Sequence, residues 1–250
     1  MYRIITTAAL LASAGAAQAL TAGSFAFVSF NADEDGWALV ALENVAANST
    51  IYFTDNTWNG SSFAATEAAH QWNTGGAAIA AGTVVRFSKV DSLTQIGVSV
   101  GTLSFASSAN LGLNATNETI YAYTSNTSDW TAPTTFLAAV SSAASGFGNA
   151  TFGVLTNTGL AAGMTAIEVA PSADFAQYTG ARAGEASFGA YLPLVNASSA
   201  WSSVQGGDQS QVLPDMTAFS VVAVPEPQTY ALLLAGLGAI GMVVGRRQGR

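Results

Sequence analysis

Between an apolar N-terminus and an apolar C-terminus, this chain never sustains a helical period. Its apolar stretches are short and rich in β-branched and aromatic residues: 24–30 (SFAFVSF), 37–42 (WALVAL), 50–54 (TIYFT), 83–88 (TVVRFS), 118–124 (ETIYAYT) and 217–222 (TAFSVV). Clusters of Gly, Asn, Asp and Ser, the residues that turn a chain, separate them. The pattern predicts an all-β sandwich. In the first stretch, alternation puts Phe25 and Phe27, with Ser29, on one face and Ala26, Val28 and Phe30 on the other. Outside the chain ends, only residues 136–144 read as a short helix. One turn plan recurs at Ala46-Ala47-Asn48, Ala80-Ala81-Gly82 and Ala161-Ala162-Gly163, each followed by Thr, Ser or Met-Thr at the start of an extended run. Asn or Gly at the third position takes positive φ at low cost.

The two ends read as targeting segments. Arg3 precedes an apolar or small-residue run over 4–17, and Ala17-Gln18-Ala19 is an A-x-A cleavage site. Residues 1–19 are therefore expected to be a secretory signal peptide, leaving a body at 20–223. At the other end stands Val224-Pro225-Glu226-Pro227. Its two prolines favour an extended, readable segment. From Tyr230 to Val244 no residue is charged. With its flanks, 229–245 meets the lower length limit of a transmembrane helix, about 17 residues. Arg246, Arg247 and Arg250 follow and favour a cytoplasmic C-terminus, giving an N-out, C-in precursor in the inner membrane. A buried helix of a soluble domain is the plainer alternative, but a uniformly apolar run closed by a basic cluster is a poor core helix.

This order of Pro-Glu-Pro, short span and arginines resembles the PEP-CTERM sorting signal of Gram-negative bacteria. The resemblance implies an exosortase as the partner that reads and processes the tail. It covers residues 224–250 and says nothing about the fold upstream.

Charge narrows the partners of the body. Four of the seven bases lie in the two end segments, whereas only Glu226 of the fifteen acids does. The body thus carries three bases against fourteen acids, a net charge near −11. Such a chain cannot neutralise a phosphate backbone, so nucleic acid is excluded as a natural partner, and anionic membrane surfaces are disfavoured. Cysteine is absent, which removes thiolate catalysis and thiolate metal sites. The single histidine, His70, rules out multi-histidine zinc sites and reads as a surface or packing residue beside Trp72.

The body also carries a likeness. Phe27-Val28-Ser29-Phe30-Asn31-Ala32-Asp33, Gly36-Trp37-Ala38-Leu39-Val40-Ala41-Leu42 and Ile51-Tyr52-Phe53-Thr54-Asp55-Asn56, with Trp58 next, resemble bacterial exported domains related to the lamin-tail fold. That resemblance implies an immunoglobulin-like β-sandwich and brings no catalytic residues, so no enzyme is expected.

One loop has ligand chemistry. Residues 31–36 (NADEDG) place oxygen-bearing side chains at alternate positions with Gly sixth, as a calcium loop opens. The twelfth position is Leu42 and Glu43 comes one residue late, so this is no EF-hand. Asn31, Asp33 and Asp35, completed by Asp55 or Asn56, are the candidate cation ligands, against the plainer reading of an acidic turn. No cofactor is expected beyond weak Ca²⁺ binding. The function these features suggest is a non-catalytic envelope or matrix protein associated with exopolysaccharide and biofilm. The alternative is an adhesin or carbohydrate-binding module, with an aromatic platform from Trp37, Trp58, Trp72, Trp130 and Trp201. A carboxylate-based hydrolase is the remote third.

Overall fold

A computed structural model describes residues 19–222 and a short helical piece at 232 and 234–237. In chain order the strands are β1 (Phe25–Asn31), β2 (Gly36–Ala41), β3 (Thr50–Thr54), β4 (Ala69–Asn73), β5 (Val84–Ser88), β6 (Gly97–Val98), β7 (Thr102–Ser107), β8 (Thr119–Thr124), β9 (Thr135–Ser141), β10 (Gly148–Asn149), β11 (Gly153–Val154), β12 (Ala166–Glu168), β13 (Phe175–Tyr178) and β14 (Trp201–Val204). One helical turn, α1 (Leu192–Val195), precedes β14. Two six-stranded sheets form, ordered β14-β13-β1-β2-β5-β6 and β12-β9-β8-β3-β4-β7, and β10 pairs with β11 apart from them. Neighbours are antiparallel except β12 and β9, which run parallel.

The sheets pack face to face as a sandwich. Phe25, Phe27, Trp37, Leu39 and Phe87 of the first sheet meet Ile51, Phe53, Trp72, Ile120 and Leu137 of the second. Aromatic rings bridge the layers: Trp37 and Phe53 lie 5.2 Å apart, Phe53 and Phe87 4.8 Å, and Phe25 meets Trp72 edge-on at 5.9 Å. Each such side chain, fully buried, contributes roughly 1.5–3 kcal/mol.

Both outer faces are covered too. Ala26, Val28, Val40 and Tyr178 lie under Tyr191, Val195 and Phe219. On the far side Tyr52, Tyr121, Tyr123 and Ala139 lie under Trp58, Phe63, Phe147 and Leu160. This explains why β1 and β2 are buried at every position and read as continuous apolar runs instead of an alternation.

Three expectations need correction. A bulge in β1 makes Phe27 pair with Leu39 and Ser29 with Ala38, so Val28 is the extra residue. Phe30 is thereby returned to the inner face with Phe25 and Phe27, not left beside Ala26 and Val28. The helix expected over 136–144 is largely strand β9, because pairing with β8 on one side and β12 on the other outweighs the helical preference of Leu and Ala. Residues 217–222 form no named strand. They run over the first sheet as a strap, joined by the Phe219 N–H to Gly82 carbonyl bond of 2.8 Å and a bridge between Glu185 and Val221.

The recurrent turn behaves as expected: Asn48, Gly82 and Gly163 have φ of 58°, 89° and 75°. At Gly82 the requirement is double, since a Cβ there would stand 2.3 Å from the Phe219 carbonyl oxygen.

Candidate functional site

In the second sheet β3 lies between β8 and β4 and is antiparallel to both. Its C-terminal end therefore meets the N-terminal ends of its two neighbours. Asp55 follows β3, Glu67 stands two residues before β4 and Glu118 immediately precedes β8. Three carboxylates from distant parts of the chain thus converge, with one oxygen of each within 4.8 Å of the others. Among the described residues this is the one group of three or more acidic or histidine side chains so placed.

Backbone and neutral side chains hold the cluster in place. Asn56, fully buried, accepts from the N–H groups of Thr66 (2.7 Å) and Glu67 (2.9 Å). Its amide donates to Thr54 Oγ1 (2.7 Å) and to the carbonyls of Glu67 (2.9 Å) and Ala68 (3.1 Å). One side chain so pins the 57–67 loop against the end of β3. Glu118 accepts from Asn114 N–H at 2.8 Å through Oε2 and from Thr119 N–H at 3.2 Å through Oε1. Asp55 Oδ1 is buried without a hydrogen-bond partner.

Electrostatics follow from this crowding. Burial, then the neighbouring Glu118 and Glu67, push the Asp55 carboxyl up to about 9. Burial chiefly, with Glu67 adding, pushes Glu118 up to about 8, against the opposing Asn114 N–H. Burial also raises Glu67. No base of the body answers these charges: Arg86 pairs with Glu34, Arg182 with Asp215 at 3.3 Å, and Lys89 donates to Gln95 at 2.9 Å. Three carboxyls at this spacing must share protons or surround a cation.

The acidic loop is arranged otherwise. Asn31 Oδ1 caps its own turn, accepting from Asp33 N–H (3.1 Å) and Glu34 N–H (3.0 Å), while its amide donates to the Gln209 carbonyl at 3.0 Å. Asp33 Oδ2 accepts from Gln209 N–H at 2.7 Å. Asp35, at φ 57°, accepts from Leu113 N–H, and burial raises it to about 6. Asp33 and Asp35 thus tie the loop to neighbouring chain, and Asp55 stands with Glu67 and Glu118. Those last two were not foreseen as ligands. The traceable signal is that Asp55 and Glu118 border stretches legible as strands; the pairing of β3 with β8 was not legible.

The five tryptophans form no common platform. Trp37, Trp58 and Trp72 are buried at 2%, 5% and 0% exposure, and only Trp130 and Trp201 are half-buried. Trp58 and Trp72 donate to the carbonyls of Thr156 (2.9 Å) and Val100 (2.8 Å). His70 is a core residue and not a surface one. It is 3% exposed, lies between Trp37 and Phe105, and its Nε2 meets the Val90 carbonyl at 2.9 Å. Burial lowers its pKa to about 4.

At the chain ends, Ala19 is exposed and Leu20 packs on the main core; Ala17 lies outside the described residues. So do Val224, Pro225, Glu226, Pro227, Arg246, Arg247, Arg250 and most of the span expected at 229–245. Among the described residues no helix is long and apolar enough to cross a membrane. Residues 223–248 match the PEP-CTERM protein-sorting motif. The chain therefore carries the tail of an exported protein sorted by an exosortase, its processing partner. No curated protein and no solved structure matches the chain.

Proposed function

We propose that this chain is a non-catalytic protein of the cell envelope or extracellular matrix, cut at its tail by an exosortase and associated with exopolysaccharide. The observation that carries the reading is the sorting motif at 223–248 directly following a β-sandwich described to residue 222. Division into a signal peptide at 1–19, a lamin-tail-like body at 20–223 and a sorting tail at 224–250 fits the packing of Leu20 on the core. A non-catalytic role is supported by the burial of Asp55 and Glu118, at 8% and 5% exposure, which keeps a sugar from these two clustered carboxyls. The adhesin alternative loses the shared aromatic platform on which it rested.

The test is Pro225→Ala with Glu226→Ala in the native host. Export should persist, and the full-length precursor should accumulate in the inner membrane, as read by fractionation and by mass spectrometry of both ends. Normal cutting and release of that variant would reduce the motif to a linker and end this reading.

A further inference from the structure

We infer that Asp55, Glu67 and Glu118 form a calcium site that clamps the ends of β3, β4 and β8 together. Two observations meet here. The first is convergence: three acids from separate segments bring carboxylate oxygens within 4.8 Å of one another. The second is an orphan: Asp55, 8% exposed, offers an oxygen to this cluster while its Oδ1 has no hydrogen-bond partner. Buried polar atoms are almost always paired, so an unpaired buried oxygen on a carboxylate that itself lies in this cluster points to a ligand.

The chemistry selects the ion. The donors are hard oxygens, with no sulfur or imidazole among them, which excludes a zinc-type preference. Ca²⁺ accepts roughly six to eight oxygens in flexible geometry, which an irregular group of three carboxylates can meet, whereas Mg²⁺ demands a near-ideal octahedron. Mg²⁺ also retains several waters, for which a cluster with Asp55 and Glu118 buried has little room. No lysine or arginine competes, because Arg86, Lys89 and Arg182 are engaged elsewhere. Asn56 and the Asn114 N–H fix two of the acids beforehand, so binding orders little new chain. The site belongs to the body and is independent of how the tail is processed.

The test uses the full-length chain in detergent, stripped with EDTA and dialysed. Calorimetry with CaCl₂ should report one ion per chain, and saturating Ca²⁺ should raise Tm by roughly 5 °C or more. Asp55→Asn with Glu118→Gln should abolish both signals, whereas Asp33→Ala should keep them. Should the double variant fail to fold, Glu67→Gln, at a half-buried position, decides; it should weaken binding by about tenfold or more. Absence of binding by the wild type, binding that survives loss of the carboxylates, or an equal Tm shift from Mg²⁺ would overturn the assignment.

Discussion

Asn56→Ala should unfold the loop that brings Glu67 to Asp55, and its cost can be worked from the structure. The substitution removes five hydrogen bonds from a fully buried side chain. They are not equal losses. Thr66 is exposed, so its N–H finds water, and the Ala68 carbonyl keeps its 2.7 Å bond from Thr54 Oγ1. The Glu67 N–H is the chief orphan, at about 1–3 kcal/mol, and the vacated carboxamide volume adds about 1 kcal/mol. The expected loss is roughly 3 kcal/mol. With a urea m-value of about 2 kcal/mol/M, the midpoint should fall by about 1.5 M. Asn56→Asp separates the contributions, since it keeps an oxygen to accept from the Thr66 and Glu67 N–H groups but loses the donors and adds a fourth carboxyl to the cluster. It should be as damaging at about pH 7 and recover at about pH 5, because crowding raises its pKa and the protonated form donates again. Urea unfolding followed by tryptophan fluorescence reads both variants. A loss below about 1 kcal/mol for Asn56→Ala, at unchanged m, would refute the reasoning, because an orphaned buried amide cannot be that cheap.

Other expectations follow from the same packing. With Ca²⁺ chelated, stability should fall as pH rises from about 6.5 to 8: Asp55 and Glu118 are raised to about 9 and about 8, so the unfolded chain releases protons that the folded chain retains. One retained proton gives a slope of roughly 1.4 kcal/mol per pH unit, and Ca²⁺ should flatten it in thermal unfolding curves. His70, lowered to about 4, acts in the opposite sense. Its contribution is intact above its unfolded pKa and is lost as pH falls toward about 4, so the stability advantage of wild type over His70→Leu should shrink by roughly 3 kcal/mol between about pH 7 and pH 4. Gly101→Ala should destabilise by more than about 1 kcal/mol, read as a lowered Tm, because φ is +79° and the new Cβ would stand 2.1 Å from the Asn73 carbonyl oxygen.

Five strands were legible from composition alone, because β1, β2, β3, β5 and β8 are rich in β-branched and aromatic residues and bounded by turn formers. Others were not. In β4 (AHQWN) and β7 (TLSFAS) the polar residues hide the pattern, and these strands exist through their neighbours in the second sheet. In β9 the run Phe-Leu-Ala-Ala-Val suits a helix until two flanking strands claim its backbone.

What the sequence determined by itself was local: the β class, the positive-φ turns at Asn48, Gly82 and Gly163, and the tail motif, which is read as linear text and needs no fold. Only the tertiary structure decided the rest. The bulge at Val28 reverses Phe30, a covered outer face buries Trp58, and the space between the sheets buries His70 against Trp37. Strand order alone brings Asp55, Glu67 and Glu118 to one end of a sheet. The reason is physical. A strand's type depends on its own side chains, but the residue that faces it depends on pairing and register, which are set by burying the whole apolar surface at once.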